Sequence, residues 1–434
     1  MDSIRNKYRL KDLGKLFSGL SGKSGDDFNQ EDNPNNRGFI PFTNIANNTY
    51  LKKDHLGTVV INPGEKQNKV RKGDLFFLMS SEGYGDIGKT AVLADDIDEA
   101  YLNSFCKGYR VNQNKCNPYF LNYLLSSVCY REILKVEGKG FTRINLKIEK
   151  VNNFEVIIPS IESQNIITNY IDEKTQAIDK KVTLLEQKIE TYKKLKNTII
   201  AKAVTQGISN QELSINDLGF KTPANWTKYR LKDLGKLFSG LSGKSGDDFN
   251  QEDNPNNRGF IPFTNIANNT YLKKDHLGTV IINPGEKQNK VRKGDLFFLM
   301  SSEGYGDIGK TAVLADDIDE AYLNSFCKGY RVNQNKCNPY FLNYLLLSNI
   351  YRQRLIVEGK GFTRINLKME KVTDFEIFLP PTLSEQQDIA NYIDHKTTTI
   401  DGIVSNIGKQ IDTLKLLRKT LINDVVTGKI KVVK

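Results

Sequence analysis

The sequence predicts an α+β protein in which two β-rich α/β globular domains are separated by two long helices. The helices are expected to form an antiparallel coiled-coil spacer with pseudo-two-fold symmetry. Three observations predict this fold: a domain-sized internal repeat, a heptad pattern after each copy, and short apolar runs between turn residues. The chain has 434 residues, of which 38% are hydrophobic, so several packed domains are expected.

The internal repeat has a period of 221 residues. Residues 8–125 and 229–346 differ at one of 118 aligned positions, Val60 against Ile281. The copies drift over residues 126–136 and become identical again over residues 137–147. A copy of roughly 150 residues is the size of a whole domain. We therefore predict globular domains at 1–158 and 223–380, with a central helix and linker at 159–222 and a distal helix at 381–434.

A second, less similar repeat follows each copy, with 19 of 43 positions identical between residues 164–206 and 386–428. Apolar residues recur there every seven positions, which is typical of a coiled-coil seam. The position four residues after each of these apolar residues is a second seam position. Near the start of each segment it is a threonine, and near the end it is a basic residue, Lys196 or Arg418. The seam residues are Ile171, Ile178, Leu185, Tyr192 and Ile199 in the first segment and Ile393, Ile400, Ile407, Leu414 and Leu421 in the second.

The length of these segments favours pairing between them. A helix of about 43 residues is about 65 Å long, too long to pack on one small domain. Because each segment follows an equivalent domain, we expect the two helices to run antiparallel. An ordinary amphipathic core helix is the alternative. Ser384 with Gln387 predicts a capping box for the second helix, and the polar residues 206–227 predict a linker.

Within each copy, apolar runs bounded by Gly, Asn and Asp predict strands. In the first copy they lie at 58–61, 75–78, 91–93 and 154–158, and a helix is predicted at 119–125, with its continuation to 135 left open. Polar, basic loops are predicted at 18–26, 33–38 and 65–72.

Charge and cysteine content restrict the class of protein. Lysine and arginine number 62 against 51 aspartates and glutamates, and this surplus favours nucleic acid over membrane as a partner. No signal peptide is recognised, and no apolar run approaches the roughly 20 residues of a membrane span, so a cytoplasmic protein is expected. The five cysteines form no C-x-x-C pair, which predicts reduced, mostly buried thiols and no metal site.

One motif resembles a nucleotide site. Residues 83–90, GYGDIGKT, match the P-loop pattern and recur at 304–311. A P-loop needs a helix directly behind the motif, whereas residues 91–93 look like a short strand. The alternative is a glycine-rich turn that places Lys89 and Thr90 at a surface. Nucleophile, metalloprotease and paired-carboxylate signatures are not found, and we expect a protein that binds without catalysis.

Four short segments lie at the start and in the central loop of a globular domain and at the start and end of a long helix. They are PANW at 223–226 with YRLKDL at 229–234, KGDL at 72–75 running to GKT at 88–90, LPP at 379–381 with EQQDIA at 385–390, and VVTGKI at 425–430. Their order and the doubled domain resemble the specificity subunits of type I restriction–modification systems over essentially the whole chain. The first copy lacks the Pro-x-x-Trp lead-in, and the two copies are more alike than is usual in that family.

The resemblance implies a non-catalytic DNA-recognition subunit without a cofactor of its own. It implies assembly with two methyltransferase subunits, and with two restriction–translocase subunits where these exist. Those partners would use S-adenosylmethionine, ATP and Mg²⁺. Two nearly identical readers on an antiparallel spacer predict a bipartite DNA site whose halves are inverted repeats.

Loop residues that could contact phosphates or base edges are the candidates for DNA binding. In the first copy they are Lys23, Arg37, Asn44, Lys69, Arg71, Ser81, Tyr84, Lys89 and Arg143. In the second they are Lys244, Arg258, Asn265, Lys290, Arg292, Ser302, Tyr305, Lys310 and Arg364. Two alternatives remain at this point, a P-loop ATPase with a duplicated domain and a coiled-coil scaffold that binds only proteins. ATP hydrolysis and salt-dependent DNA binding would distinguish them.

Overall fold

A computed structural model describes residues 5–432. The chain divides into two units, Met1–Glu186 with Gly408–Lys434, and Gln187–Ile407. Both divisions fall inside long helices, so each unit contains one globular domain and a segment of each helix. The ends of the predicted first domain and distal helix, residues 1–4 and 433–434, lie outside the described residues.

The globular part of the first unit is a mixture of short strands and helices. The strands are β1 (Asn6–Arg9), β2 (Gly14–Ser18), β3 (Asn36–Ile40), β4 (Gly57–Val60), β5 (Asp74–Leu78), β6 (Ser80–Ser81), β7 (Thr90–Val92), β8 (Ala100–Leu102), β9 (Cys106–Val111), β10 (Ile144–Asn145) and β11 (Glu155–Ile158). The helices are α1 (Leu10–Leu13), α2 (Phe42–Asn47), α3 (Pro118–Ser126), α4 (Val128–Glu137) and α5 (Ile148–Asn152), followed by the long helix α6 (Ile161–Gln206).

A four-stranded antiparallel sheet, in the order β2-β9-β5-β7, forms the centre of this unit. Its strand β5 is buried along its whole length. Leu75 and Phe77 belong to the core shared with α3, whereas Phe76 and Leu78 belong to a second core beside the three-stranded sheet β4-β3-β8. Burial on both faces explains the continuous apolar run in the sequence.

The predicted strands are confirmed, with β4, β5, β7 and β11 at the expected places. The open question of the helix after residue 119 is resolved as two helices. Ser127 separates them, and its hydroxyl donates to the carbonyl of Leu124 at 2.6 Å. The predicted loop 33–38 is partly wrong, because β3 begins at Asn36 and pairs with both β4 and β8.

The second unit repeats this topology. Its strands are β12 (Leu213–Ile215), β13 (Lys221–Pro223), β14 (Thr227–Arg230), β15 (Gly235–Ser239), β16 (Asn257–Ile261), β17 (Gly278–Ile281), β18 (Asp295–Leu299), β19 (Ser301–Ser302), β20 (Thr311–Val313), β21 (Ala321–Leu323), β22 (Cys327–Val332), β23 (Ile365–Asn366) and β24 (Glu376–Leu379). Its helices are α7 (Leu231–Leu234), α8 (Phe263–Asn268), α9 (Pro339–Leu347), α10 (Asn349–Val357) and α11 (Met369–Thr373), followed by the long helix α12 (Leu383–Val426).

The segment between α6 and β14 is more ordered than a polar linker. β12 and β13 pair as an antiparallel hairpin. The Phe220 ring lies 5.4 Å from that of Tyr351, and buried Trp226 packs edge-on against Phe341. Two aromatic side chains in a polar stretch, Phe220 and Trp226, thus attach it to the second unit.

The two long helices run antiparallel where their segments meet within each unit. In the first unit Asp179 pairs with Arg418 at 2.9 Å and Glu186 with Lys415 at 3.7 Å, so the partner number falls as the α6 number rises. In the second unit Lys196 pairs with Asp401 at 2.6 Å. All ten predicted seam residues are buried or half-buried. The two late bases of the heptad pattern therefore each bind an aspartate of the facing helix.

The cap of α12 differs from the prediction. The helix begins at Leu383, and the hydroxyl of Thr382 accepts a hydrogen bond from the backbone N–H of Glu385 at 3.2 Å. Thr382 thus caps the helix in place of Ser384, because the turn begins directly after the two prolines. Four cysteines are buried as predicted, and Cys129 is exposed. In the described part of the chain no helix is long and apolar enough to cross a membrane.

Each globular domain is attached to the first turns of its long helix by an aspartate. In the first unit the hydroxyls of Tyr50 and Tyr123 both donate to Asp172 Oδ1, at 2.5 and 2.6 Å. In the second unit Tyr271 and Tyr344 bind Asp394 in the same way. Burial, followed by the hydrogen bond to Asp172, raises the pKa of Tyr123 above its ordinary value. These hydroxyls are therefore neutral donors across the neutral pH range.

Replacing Asp172 with alanine should destabilise the first unit by about 2–6 kcal/mol, because two part-buried hydroxyls lose their acceptor at about 1–3 kcal/mol each. Urea titration followed by hydrogen exchange would measure this unit separately, with intact Asp394 as the internal control. Asp179→Ala is the matched variant, since its ion pair is more exposed and should contribute about 1 kcal/mol or less. Equal losses in the two variants would contradict this role for Asp172.

Candidate nucleic-acid interface

Two loops meet at one edge of each globular domain. β6 pairs with β10, Ser80 opposite Asn145 and Ser81 opposite Ile144. This pairing brings residues 82–88, the glycine loop, beside residues 139–143, the tip loop. β19 and β23 bring the equivalent loops together in the second unit.

The tip loop exposes an aromatic side chain. Lys139 and Asn145 exchange two backbone hydrogen bonds, at 3.0 and 2.9 Å, which close the loop. Gly140 has φ +149°, and a Cβ there would overlap the carbonyl oxygen of Arg143, so the turn requires glycine. Phe141 is consequently held at the tip with its side chain fully exposed, and so is Phe362 in the second unit. The same phenylalanine is therefore fully exposed at the tip of this loop in both units.

A cavity opens between the two loops. In the first unit it has a volume of about 490 Å³ and is lined by Ser81, Glu82, Asp86, Phe105 and Arg143, among others. The Arg143 guanidinium lies 5.2 Å from the centre of the half-exposed Phe105 ring. Stacking on the ring orients the guanidinium and leaves its N–H donors available at the surface. The second unit has the same cavity, of about 380 Å³, beside Arg364 and Phe326.

The structure brings three of the nine candidates of the first copy to this surface. Ser81 and Arg143 line the cavity, and Tyr84 is half-exposed on the glycine loop. Ser81 is itself buried, and its hydroxyl accepts a hydrogen bond from the N–H of Gly83 at 3.3 Å. Of these three candidates, Arg143 and Tyr84 are therefore the ones with exposed side chains.

Four other candidates make internal bonds. Lys23 is almost buried and pairs with Glu65 at 2.7 Å. Asn44 is buried, donates to the carbonyl of Lys52 and accepts from its N–H. Arg37 and Lys69 both pair with Glu99, at 3.0 and 2.7 Å. Hydrogen bonds from Lys69, Tyr101 and Arg37 lower the pKa of Glu99 to about 2, so this group stays ionised and stabilises the fold of the loops.

The last two candidates lie apart from the cavity. Arg71 is exposed, and Lys89 is half-buried with its ammonium 2.6 Å from Asp86 Oδ1. The second copy repeats each of these placements. Its residues are Lys244, Asn265, Arg258, Lys290, Arg292, Lys310, Ser302, Tyr305 and Arg364.

The candidates chosen from the sequence do not include the most exposed aromatic residues, Phe141 and Phe105, or their equivalents. The available signal was an aromatic residue in a basic, glycine-containing stretch, KGFTR at 139–143. Sequence reasoning treats phenylalanine as a core residue unless backbone geometry forces it outward.

The P-loop resemblance does not extend to the structure. Strand β7 begins at Thr90, where a phosphate-binding helix would have to begin. Thr90 is buried and donates to Asn122 Oδ1 at 2.7 Å, so the expectation that it lies at a surface is wrong. No group of His, Cys, Asp and Glu suited to a metal occurs among residues 5–432. The geometry gives no support to the ATPase alternative.

Both units thus carry the same pair of loops and the same cavity, on a globular domain that precedes a long helix. The family of the type I restriction modification DNA specificity domain matches residues 5–194 and 223–412, and the chain belongs to this family. A subunit of this kind is non-catalytic and carries no cofactor itself, as the resemblance implied.

Known proteins agree with this assignment along the whole chain. The type I restriction enzyme MjaVIII specificity subunit of Methanocaldococcus jannaschii is 21% identical over 415 residues, 91% of this chain and 87% of the relative. A chain from a structure concerned with the assembly and conformational transition of the type I R-M system has a TM-score of 0.74 at 16% identity, covering 98% of each chain. The HsdS subunit from Thermoanaerobacter tengcongensis has a TM-score of 0.58 at 17% identity, covering 98% of this chain and 97% of its own. At these identities the two structures establish the fold.

Proposed function

We propose that this DNA specificity subunit reads a bipartite site whose halves are inverted repeats, one half for each unit. The observation that carries the proposal is the sameness of the two loop surfaces. The glycine loops and the tip loops are identical in sequence, and Arg143 and Arg364 stack on equivalent phenylalanines at the same 5.2 Å. Identical readers select identical base sequences, and we propose that the two units read them on opposite strands.

We propose that the tip loop and its cavity make the base contacts. An arginine held by an aromatic ring can donate two hydrogen bonds to the major-groove edge of guanine. An exposed phenylalanine can contact a thymine methyl group or stack on a base. Exposed basic residues such as Arg71 would bind phosphates and fix the position of the duplex. Of the 18 candidates, Arg143, Tyr84 and their equivalents are thus the ones assigned to sequence reading.

We further propose that residues 1–158 and 223–380 are the two readers, and that 159–222 and 381–434 separate them. The long helices would dock two methyltransferase subunits and, where present, two restriction subunits, in the cytoplasm. Those partners would hold S-adenosylmethionine, ATP and Mg²⁺. The target adenine would be flipped into a pocket of the methyltransferase, since flipping places the base in the enzyme that modifies it.

The test is a genome-wide map of methylated adenines in cells that express this chain with its neighbouring methyltransferase gene. We expect a new split motif with inverted-repeat halves and a fixed gap, lost when this chain is omitted. A split motif with unlike halves would contradict the equal-reader proposal. With a competent methyltransferase present, absence of any new motif would contradict the proposed function itself.

A further inference from the structure

A second cavity, of about 310 Å³, lies on the other side of the glycine loop in the first unit. Gly85 lines this cavity, whereas Gly83 and Asp86 line the cavity beside Arg143. Four cations surround it, and we call it the basic pocket. They are Lys89, Arg131 and Lys135 of the globular domain and Lys419 of α12.

Two of these cations are tied to the glycine loop. Arg131 donates to the carbonyls of Ile87 at 2.7 Å and Gly85 at 3.2 Å, which fixes the shape of the loop. Lys89 pairs with Asp86 at 2.6 Å. The glycine loop, which lies between the basic pocket and the cavity beside Arg143, is therefore held in place.

The other two cations converge on one carboxylate. Lys135 pairs with Glu132 at 2.6 Å, and both side chains remain partly exposed. The hydrogen bond from Lys135, and then the positive charges of Lys135, Arg131 and Lys419, lower the pKa of Glu132. Within residues 5–432, Lys419 forms no ion pair. The four cations are balanced by only two carboxylates, Asp86 and Glu132, so the pocket has a surplus of positive charge.

The pocket lies where the two copies of the domain differ. Residues 126–136 are the drifting segment, and they correspond to residues 347–357. Lys135 becomes Ile356, Glu132 becomes Gln353, and the position of Lys419 in α12 is held by Asn197 in α6. Lys89 and Arg131 are kept as Lys310 and Arg352. The new base of the second copy, Arg354, lies over Phe375 and donates to the carbonyl of Glu376.

We propose that the basic pocket binds a phosphate of the DNA backbone beside the half-site contacted by the first unit, and that the second unit makes no equivalent contact. Because residues of the glycine loop line both cavities, a duplex contacted by Arg143 would pass beside the loop that also lines the basic pocket. A phosphate oxygen can replace Glu132 as the partner of Lys135 and provide one for Lys419. The inference rests on the proposed function and adds an asymmetry to it. Both units would read the same bases, but only the first unit would make this contact with the DNA backbone.

The experiment exchanges the distinguishing residues between the copies in the full chain, assembled with its methyltransferase subunits. The first variant combines Lys135→Ile with Lys419→Asn, and the second combines Ile356→Lys with Asn197→Lys. Each new side chain already occurs at the equivalent position of the other copy, so both variants should fold. Affinity for a duplex with both half-sites is measured against salt concentration. Loss of one phosphate contact should flatten the slope of log K against log salt by about 0.9, and the reverse variant should steepen it by about as much.

The methylated motif should stay the same in both variants, because no base contact changes. An unchanged slope, with wild-type affinity retained, would overturn the proposal. So would normal DNA binding with weakened methyltransferase assembly, which would assign the pocket to a protein partner. The binding preference of the wild-type complex for the methylated motif is measured before any variant is compared. A wild-type complex without such a preference would overturn the proposed function as well.

Discussion

Deleting one heptad from each long helix should shorten the gap between the two half-sites by about three base pairs and leave the half-sites unchanged. Removing residues 183–189 with 405–411 preserves the heptad phase and both cross-helix ion pairs, Asp179–Arg418 and Lys196–Asp401. Seven helical residues span about 10.5 Å, close to three base-pair steps of about 3.4 Å. The methylated motif of the deletion variant, mapped in cells, measures the gap directly.

The control is the same deletion in α6 alone. It leaves α12 at full length, so the two ion pairs can no longer form together, and stability and complex assembly should both fall. Thermal unfolding of the double deletion establishes that it folds before its motif is read. A changed half-site sequence with an unchanged gap would contradict the role of the helices as a spacer.

Removing the exposed ring and the stacked guanidinium from both units should abolish specific DNA binding. The variant combines Phe141→Ala and Arg143→Ala with Phe362→Ala and Arg364→Ala. Each stacking or bidentate contact contributes about 1–3 kcal/mol, so loss of both units should weaken specific binding by at least about 10³-fold. Competition between a duplex carrying the methylated motif and a scrambled duplex measures the specific part of the affinity.

A matched control is Val136→Ala with Val357→Ala. These side chains are also apolar and well exposed in both units, at 69% and 68%, but they lie on α4 and α10 and line neither the cavity beside Arg143 nor that beside Arg364. The control should keep wild-type specificity, and the loop variant should keep its non-specific, salt-dependent binding. If the loop variant still methylates the wild-type motif, the tip loop is not the reader.

The elements that the sequence predicts correctly are those determined by short-range patterns. The apolar run at 75–78 is a strand because β5 is buried on both faces. The seven-residue period identifies α6 and α12, since only a sustained apolar stripe can bury one long helix against another. The strand after the GKT residues could also be anticipated, because residues 91–93 lack helical periodicity.

The features that escape prediction depend on contacts between distant residues. Asp172 looks like any helix-surface acid until Tyr50 and Tyr123 meet it. Lys23 and Arg37 look like solvated loop bases, yet Glu65 and Glu99 bind them across the domain. A basic side chain in a loop can pair with a carboxylate of its own domain or with a phosphate of DNA. The amino-acid composition of the loop does not distinguish these two roles.

The core of the first unit cannot close until α12, near the end of the chain, has been synthesised. This core contains Ile167 and Ile171 together with Ile422, Val425 and Val426 of α12. At about 5–20 residues per second, the ribosome needs roughly 10–45 s to add the 221 residues, 187–407, between these parts of the unit. During that time the nascent first unit exposes an apolar site that only residues 408–432 can cover. A product truncated before α12 is complete would carry a first domain with a permanently open core, a substrate for chaperones and proteases.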